Sequence, residues 1–217
     1  MKRITGLCLI LLLAITTVLC VTACGPNPNG GKDDTPGKIV SYEISVDTGK
    51  VSVDTGAISV CVYSLDGTLV GEKKLSQSKT LFELNADNYV ATLSGLSGEV
   101  SYSSVLLTKT TKKATIVVEK AKLDESLDEY TFAFTVIVLA GNVKLDDLEV
   151  QLCDDTLCKS MWFDNGNAAD IYVGAGDYIV KVYVYSGNGQ NQLYQQDYTV
   201  TLERRFCILV LKNKQVL

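Results

Sequence analysis

The 217-residue sequence contains no histidine, three prolines, two methionines and a single tryptophan. Without histidine, the chain cannot form a Ser-His-Asp triad, a Cys-His nucleophile pair or a histidine-containing metal site. It also lacks an excess of positive charge, because 20 Lys and Arg against 25 Asp and Glu give a formal net charge of −5. Nucleic-acid backbones are bound through Lys and Arg, so this balance argues against such a partner. We therefore expect a non-catalytic protein with no cofactor, no metal and no nucleic-acid partner.

The sequence also lacks the periodicity of an amphipathic helix from Lys38 onward. The alternation typical of strands is present instead in residues 57–64 and 178–185, and residues 130–139 are β-branched and aromatic throughout. Breaks rich in Gly, Asn and Asp separate these runs and predict hairpin turns. An apolar fraction of 47% is sufficient for a packed core. The pattern predicts an all-β chain made of Ig-like β-sandwiches.

The N-terminal segment is predicted to be a targeting signal rather than part of the fold. Lys2 and Arg3 precede an apolar run over residues 7–21, which is short for a membrane span and suits a secretory signal. The sequence Val21-Thr22-Ala23-Cys24 then resembles a bacterial lipobox, whose cysteine receives a lipid. A plain secretory signal and an uncleaved anchor are the alternatives.

The lipobox resemblance implies a lipoprotein signal peptide over residues 1–23 and lipidation of Cys24. Residues 24–37 are expected to form a flexible tether, because they are rich in Gly and Asn and hold all three prolines. Such a protein lies outside the cytoplasm. Its N-terminal lipid would hold it to the cell membrane or to the outer membrane.

An internal repeat follows, at an offset of about 90 residues. Residues 84–90 match residues 173–179, with Tyr89 and Tyr178 at equivalent positions. Aliphatic strands upstream and downstream of this match are also in register. Each unit is thus expected to contain the same order of strands.

The repeated element, clearest in Val173-Gly-Ala-Gly-Asp-Tyr178-Ile-Val-Lys-Val182, resembles one found in prealbumin-like sandwiches. These include carboxypeptidase-regulatory-like and collagen-adhesin B-type domains. The resemblance implies two tandem sandwich domains, over residues 38–120 and 121–217, joined by a charged stretch. Domains of this type mostly act as spacers, as adhesin or pilin modules, or as parts that bind polysaccharide or protein.

Two Asp-Thr-Gly motifs, beginning at Asp47 and Asp54, resemble the loop of aspartic proteases. The protease needs one such loop from each of two facing lobes, whereas these motifs lie seven residues apart in one domain. The simpler interpretation is that each motif makes a turn. A dimeric aspartic-type protease that pairs Asp54 across two chains remains an alternative.

The cysteines offer one pair that is close in sequence. Cys153 and Cys158 bracket a predicted turn between two strands and could form a hairpin disulfide outside the cytoplasm. With Cys61 and Cys207, four cysteines of the fold allow three pairings, and the sequence does not choose between them. A zinc site is not expected, since no fourth ligand accompanies these thiols.

Aromatic residues are concentrated in the second predicted domain. Tyr183 and Tyr185 alternate away from an aliphatic face of the same strand, and with Trp162 and Tyr172 they are the candidate binding surface. Burial, or ordinary cross-strand pairing of tyrosines, is the alternative.

Together these features predict a lipid-anchored, extracytoplasmic protein of the bacterial envelope. It would bind or scaffold without catalysis, with a protein or a polysaccharide as its ligand. A fimbrillin-like filament subunit or adhesin is the second alternative, beside the protease.

Overall fold

The computed structural model describes residues 38–49, 51–125, 129–140, 147–163, 167–186, 189–212 and 215–216. All of them belong to one unit of the chain, Gly37–Leu217. The predicted signal peptide, Cys24 and the predicted tether lie outside the described residues. No helix within the described ranges is long and apolar enough to cross a membrane.

The first sandwich is formed by eight strands in two sheets. One sheet has the order β4-β1-β8-β6 and the other has the order β3-β2-β5-β7. The pair β1–β8 is parallel, and the remaining pairs are antiparallel. The strands are β1 (Ile39–Asp47), β2 (Ser59–Ser64), β3 (Leu69–Lys74), β4 (Lys79–Asn85), β5 (Tyr89–Ser94), β6 (Val100–Tyr102), β7 (Val105–Leu107) and β8 (Lys113–Lys120).

The second sandwich repeats this plan. Its sheets have the orders β13-β10-β16-β17 and β12-β11-β14-β15, and the short β9 adds to β10. The pair β10–β16 is parallel, as β1–β8 is in the first sandwich. The strands are β9 (Lys122–Asp124), β10 (Glu129–Ala140), β11 (Leu148–Cys153), β12 (Cys158–Trp162), β13 (Ala168–Val173), β14 (Gly176–Ser186), β15 (Gly189–Val200), β16 (Phe206–Lys212) and β17 (Gln215–Val216). The all-β sandwich class predicted from the sequence is confirmed.

The repeat also appears as the same local contact in both sandwiches. Tyr89 begins β5 and donates its hydroxyl to the carbonyl of Asn85, at 2.9 Å. Tyr178, near the start of β14, donates to the carbonyl of Gly174, at 3.2 Å. Each tyrosine therefore fastens the turn that precedes its own strand. This bond explains why the repeated sequence keeps a tyrosine at that position.

Alternating side chains fill a separate core in each sandwich. In β1, the residues that point inward include Tyr42 and Ile44, and Tyr42 packs edge-on against Tyr89 at 5.3 Å between ring centroids. The core of the second sandwich includes Phe132, Phe134 and further inward residues of its strands. Burial of apolar surface stabilises a fold by about 25 cal/mol per Å², and it is the main contribution that holds each pair of sheets together.

The two sandwiches also pack against each other. The outward residues of β10 include Ala133, Thr135 and Ile137, and all three are buried. Ile137 lies in a third apolar cluster with Phe206 of the second sandwich and Val90 of the first. Strand β10 is therefore buried on both faces, which accounts for its continuous run of apolar and β-branched residues.

Polar contacts complete this interface. Ser104 donates its backbone N–H to the hydroxyl of Thr135 at 2.8 Å, and Ala133 donates its N–H to the hydroxyl of Ser101, also at 2.8 Å. Asp170 accepts from the hydroxyls of Ser103 and Thr135, at 2.6 and 2.7 Å. These bonds satisfy polar groups that the packing removes from water.

Arg205 crosses the interface with a fully buried side chain, 0% exposed. Its guanidinium donates to the carbonyls of Val100 at 2.6 Å and Ser97 at 2.9 Å, both in the first sandwich. It also lies over the rings of Tyr102 and Phe132, at 4.8 and 4.3 Å from their centroids. In the described part of the chain, no carboxylate forms a salt bridge with it. Burial lowers the pKa of Arg205, and the carbonyls and rings replace the water that its charge has lost.

Candidate ligand-binding face

The candidate site lies on the sheet β12-β11-β14-β15, on the side that points away from its own core. We call this side the outer face. Pairing across the four strands aligns Trp162, Glu149, Tyr183 and Gln192 in one row. The neighbouring row aligns Ser160, Gln151, Lys181 and Gln195. Tyr185 follows on β14, two residues beyond Tyr183. The outer face is defined by Glu149, Gln151, Ser160, Trp162, Lys181, Tyr183, Tyr185, Gln192 and Gln195.

Trp162 and Tyr185 form the aromatic centre of the outer face. Their rings are 4.8 Å apart between centroids and inclined at 43°. Trp162, the only tryptophan of the chain, is 44% exposed. Exposing a large aromatic ring costs free energy, so a half-exposed tryptophan in contact with a second ring is a feature of binding surfaces.

A buried carboxylate fixes this aromatic pair. Glu149 is only 6% exposed, and its Oε2 accepts the hydroxyl of Tyr185 at 2.6 Å. Its Oε1 accepts the side-chain amide of Gln151 at 3.0 Å. Both oxygens are thus engaged, and the ring of Tyr185 is held in one orientation against Trp162.

The pKa values of this group follow from the same bonds. Burial raises the pKa of Glu149, but hydrogen bonds from Tyr185, Gln151 and Ser160 outweigh burial and hold it below the usual value. The bond to Glu149, with burial and the nearby negative charge, raises the pKa of Tyr185 to about 12. At neutral pH the carboxylate is therefore charged and the phenol is protonated, the states that the hydrogen bond requires.

The structure groups three of the four aromatic residues singled out from the sequence. Tyr183, on β14, is half-buried and pairs with Glu149 of the neighbouring strand β11. Tyr172 lies elsewhere, on β13 of the other sheet, where it is 40% exposed and the ammonium of Lys122 lies over its ring at 4.9 Å. Glu149, whose carboxylate accepts the hydroxyl of Tyr185, was not identified from the sequence. One acidic residue in an alternating strand gives no signal that its carboxylate is covered.

The hairpin of β11 and β12 carries a disulfide between Cys153 and Cys158. These cysteines face each other at the turn. Four residues before Cys153 on β11, the same register places Glu149 opposite Trp162. The disulfide therefore fixes the register on which the outer face depends.

Cys61 and Cys207 are free and buried. Burial raises the pKa of Cys207 to about 12, so its thiol remains protonated and behaves as a small apolar side chain. Among the described residues, no group of three His, Cys, Asp or Glu is placed to hold a metal ion.

The two Asp-Thr-Gly motifs form turns. The carboxylate of Asp47 accepts the backbone N–H of Gly49 at 2.9 Å, and that of Asp54 accepts the N–H of Gly56 at 3.0 Å. Both bonds are exposed to solvent and local to their own turn, as the turn interpretation expects. Nothing in this geometry supports a protease.

Comparison with known proteins finds no matching family model and no matching curated protein. Among solved structures, the Bacillus anthracis TIE protein is 15% identical with a TM-score of 0.29; the match covers 81% of this chain and 34% of that one. This chain thus spans about a third of the TIE protein's length. The shaft pilin SpaA from Lactobacillus rhamnosus GG is 7% identical with a TM-score of 0.30, covering 80% and 98%. A DUF3823 family protein from Bacteroides ovatus is 14% identical with a TM-score of 0.27, covering 76% and 100%. No family membership follows from similarities at this level.

Proposed function

We propose that this chain is a non-catalytic binding protein of the bacterial cell surface and that its outer face holds the ligand. The observation that carries the proposal is the half-exposed pair of Trp162 and Tyr185, fixed by the buried carboxylate of Glu149. A preorganised aromatic surface binds with little loss of side-chain entropy, because the rings are already ordered before the ligand arrives. Core packing does not explain this aromatic pair, since both rings lie outside the core.

The position of the outer face supports the proposal. The first sandwich covers the other sheet of the second sandwich, through the outward residues of β10 and β16. The sheet β12-β11-β14-β15 lies on the far side of that core. Among the described residues, the first sandwich therefore packs on the sheet opposite the outer face and does not cover the outer face.

We further propose that the protein is attached to the membrane by a lipid on Cys24. Support for this comes from the lipobox-like sequence ending in Ala23-Cys24 and the polar residues after it. The test is metabolic labelling with a fatty acid in cells that express the wild type or Cys24→Ala. The wild type should incorporate the label, and the variant should not. A wild type that takes up no label, or a variant that is labelled equally, would overturn lipid attachment and leave the binding proposal intact.

The binding proposal is tested with the full chain and a panel of immobilised surface polymers. The panel contains neutral polysaccharides, acidic polysaccharides, collagen and fibrinogen. The expected result is retention on at least one polymer, lost in Trp162→Ala and kept in Tyr172→Ala, which removes an equally exposed ring from the other sheet. Retention that both variants keep, or retention on none of the polymers, would contradict a ligand at the outer face.

A further inference from the structure

The outer face combines an exposed aromatic ring with the side-chain amides of Gln151, Gln192 and Gln195, and one class of ligand can bind both kinds of group. From this combination we infer that its ligand is a neutral polysaccharide, with a sugar ring stacked on Trp162. The inference rests on the proposed function and names the chemical class of the ligand for that same face.

The stacking partner is set by the shape of Trp162. One side of a pyranose ring carries mostly C–H groups and is flat and weakly polar, so it matches the face of an indole ring. The contact with Tyr185 fixes the indole and leaves it 44% exposed on an open sheet. A linear polymer can lie along such a surface, whereas a small molecule would need an enclosing pocket.

The amide side chains of the outer face can form hydrogen bonds with the hydroxyls of a sugar. Gln192 and Gln195 are exposed on β15, and the amide of Gln192 donates to that of Gln195 at 3.2 Å. A primary amide offers both donors and an acceptor, as a sugar hydroxyl does, so the two groups can exchange hydrogen bonds without a change of protonation. Gln151 offers the same chemistry two strands away, on β11, next to Glu149.

The charges of the outer face favour an uncharged ligand. Glu149 is buried, and its two oxygens are occupied by Tyr185 and Gln151. Lys181 is the single basic residue among the residues that define the face. Polymers that carry carboxylate, sulfate or phosphate are usually bound by clusters of Arg and Lys, and no such cluster exists among these residues.

The apolar content of the face also argues against a protein ligand. The centre of a protein interface usually contains several contiguous apolar side chains. In the described part of the chain, none of the large exposed aliphatic residues belongs to the outer face: Ile39, Leu69, Val70, Leu81, Val117, Leu123 and Leu157. The face therefore offers rings and amides, with little aliphatic surface around them.

The test is affinity electrophoresis of the full chain in native gels that contain one soluble polymer each. Barley β-glucan, glucomannan, galactomannan and dextran are the neutral probes, and polygalacturonate and heparin are the anionic probes. We expect at least one neutral polymer to retard the wild type. Trp162→Ala should weaken the interaction at least about tenfold, the scale of losing one aromatic stacking surface. Tyr185→Phe, which keeps the ring and loses the bond to Glu149, should weaken it by a smaller factor.

Tyr172→Ala is the matched control and should bind as the wild type does. Thermal unfolding of each variant checks that the fold is intact, and Tyr185→Phe gives a second readout if Trp162→Ala does not fold. Retardation by the anionic polymers alone, or by no polymer, overturns the inference. If collagen or fibrinogen binds through Trp162 while no neutral polymer does, the proposed function stands and the polysaccharide assignment fails.

Discussion

Replacing Arg205 should weaken the contact between the two sandwiches. Its two bonds to the carbonyls of Ser97 and Val100 are charge-assisted, each contributing about 1.5–3 kcal/mol. Arg205→Ala would leave both carbonyls without that donor and open a void between Tyr102 and Phe132. Desolvation of the buried charge offsets part of this gain, so we expect a net loss of about 2–4 kcal/mol in the free energy of unfolding.

The neighbouring arginine provides the control. Arg204 is exposed and lies over Tyr63 and Phe206 at 5.8 and 5.2 Å. Such an exposed contact contributes about 1 kcal/mol or less, so Arg204→Ala should be close to the wild type. Urea unfolding, followed both by far-ultraviolet circular dichroism and by Trp162 fluorescence, measures the difference.

Labelling with a thiol reagent tests whether Arg205→Ala loosens the interface between the sandwiches. Cys61 is buried on the side of β2 that faces away from its own core, and Cys207 is in the core of the second sandwich. If Arg205 holds the sandwiches together, Arg205→Ala should speed the labelling of Cys61 more than that of Cys207, as read by mass spectrometry of peptides. Equal urea midpoints for the two arginine variants, with Cys61 reacting at the wild-type rate, would refute the role given to Arg205.

Two further predictions concern the outer face. Replacing Cys153 and Cys158 together by Ser should lower the unfolding free energy by about 2 kcal/mol, from the loop entropy of a link between residues five apart; a urea midpoint equal to that of the wild type would contradict this. The bond of Tyr185 to Glu149 should stabilise the fold over a defined pH range. Because the pKa of Glu149 is lowered, its contribution should be complete above its ordinary pKa of 4.5 and lost as the pH falls through the folded value. Because the pKa of Tyr185 is raised, its contribution should be complete below 10 and lost as the pH rises toward about 12. Tyr185→Phe should flatten both limbs of the stability curve, and an unchanged curve would show that the bond contributes nothing.

Much of the fold could be predicted from local pattern. Alternation in residues 178–185 identified the inward valines of β14, and the matching tyrosines at 89 and 178 revealed the repeat. Both signals are local, because side chains on a strand alternate with a period of two residues and turns have their own composition.

The packing between the sandwiches could not be predicted in the same way. Alternation shows which side of a strand is apolar, but it does not show which outward face another sheet will cover. The continuous apolar run over residues 130–139 was a usable signal for a strand buried on both sides. Arg205 gave none, because a buried arginine and an exposed one have the same sequence appearance until the partner carbonyls are known.

The candidate site was predictable in its aromatic residues and not in its arrangement. Tyr183 and Tyr185 were identified from their alternation, and Trp162 from the concentration of aromatic residues in the second predicted domain. The separation of Tyr172 onto the other sheet depends on how β12 and β13 are distributed between sheets, which is a long-range choice. The link from Tyr185 through Glu149 depends on the register of β11 with β14, which local sequence does not set.

Collisional quenching of Trp162 by acrylamide is the most direct test of a ligand at the outer face. Trp162 is the only tryptophan, and neutral polysaccharides do not fluoresce. Excitation at the long-wavelength edge, where the eleven tyrosines do not absorb, makes the signal report on this residue alone. Titrating the full chain with the neutral polymer that retards it most should protect Trp162 from acrylamide in a saturable way, and Tyr172→Ala should behave identically. If the polymer binds while quenching of Trp162 is unchanged at saturation, the ligand lies elsewhere and the account of the outer face is wrong.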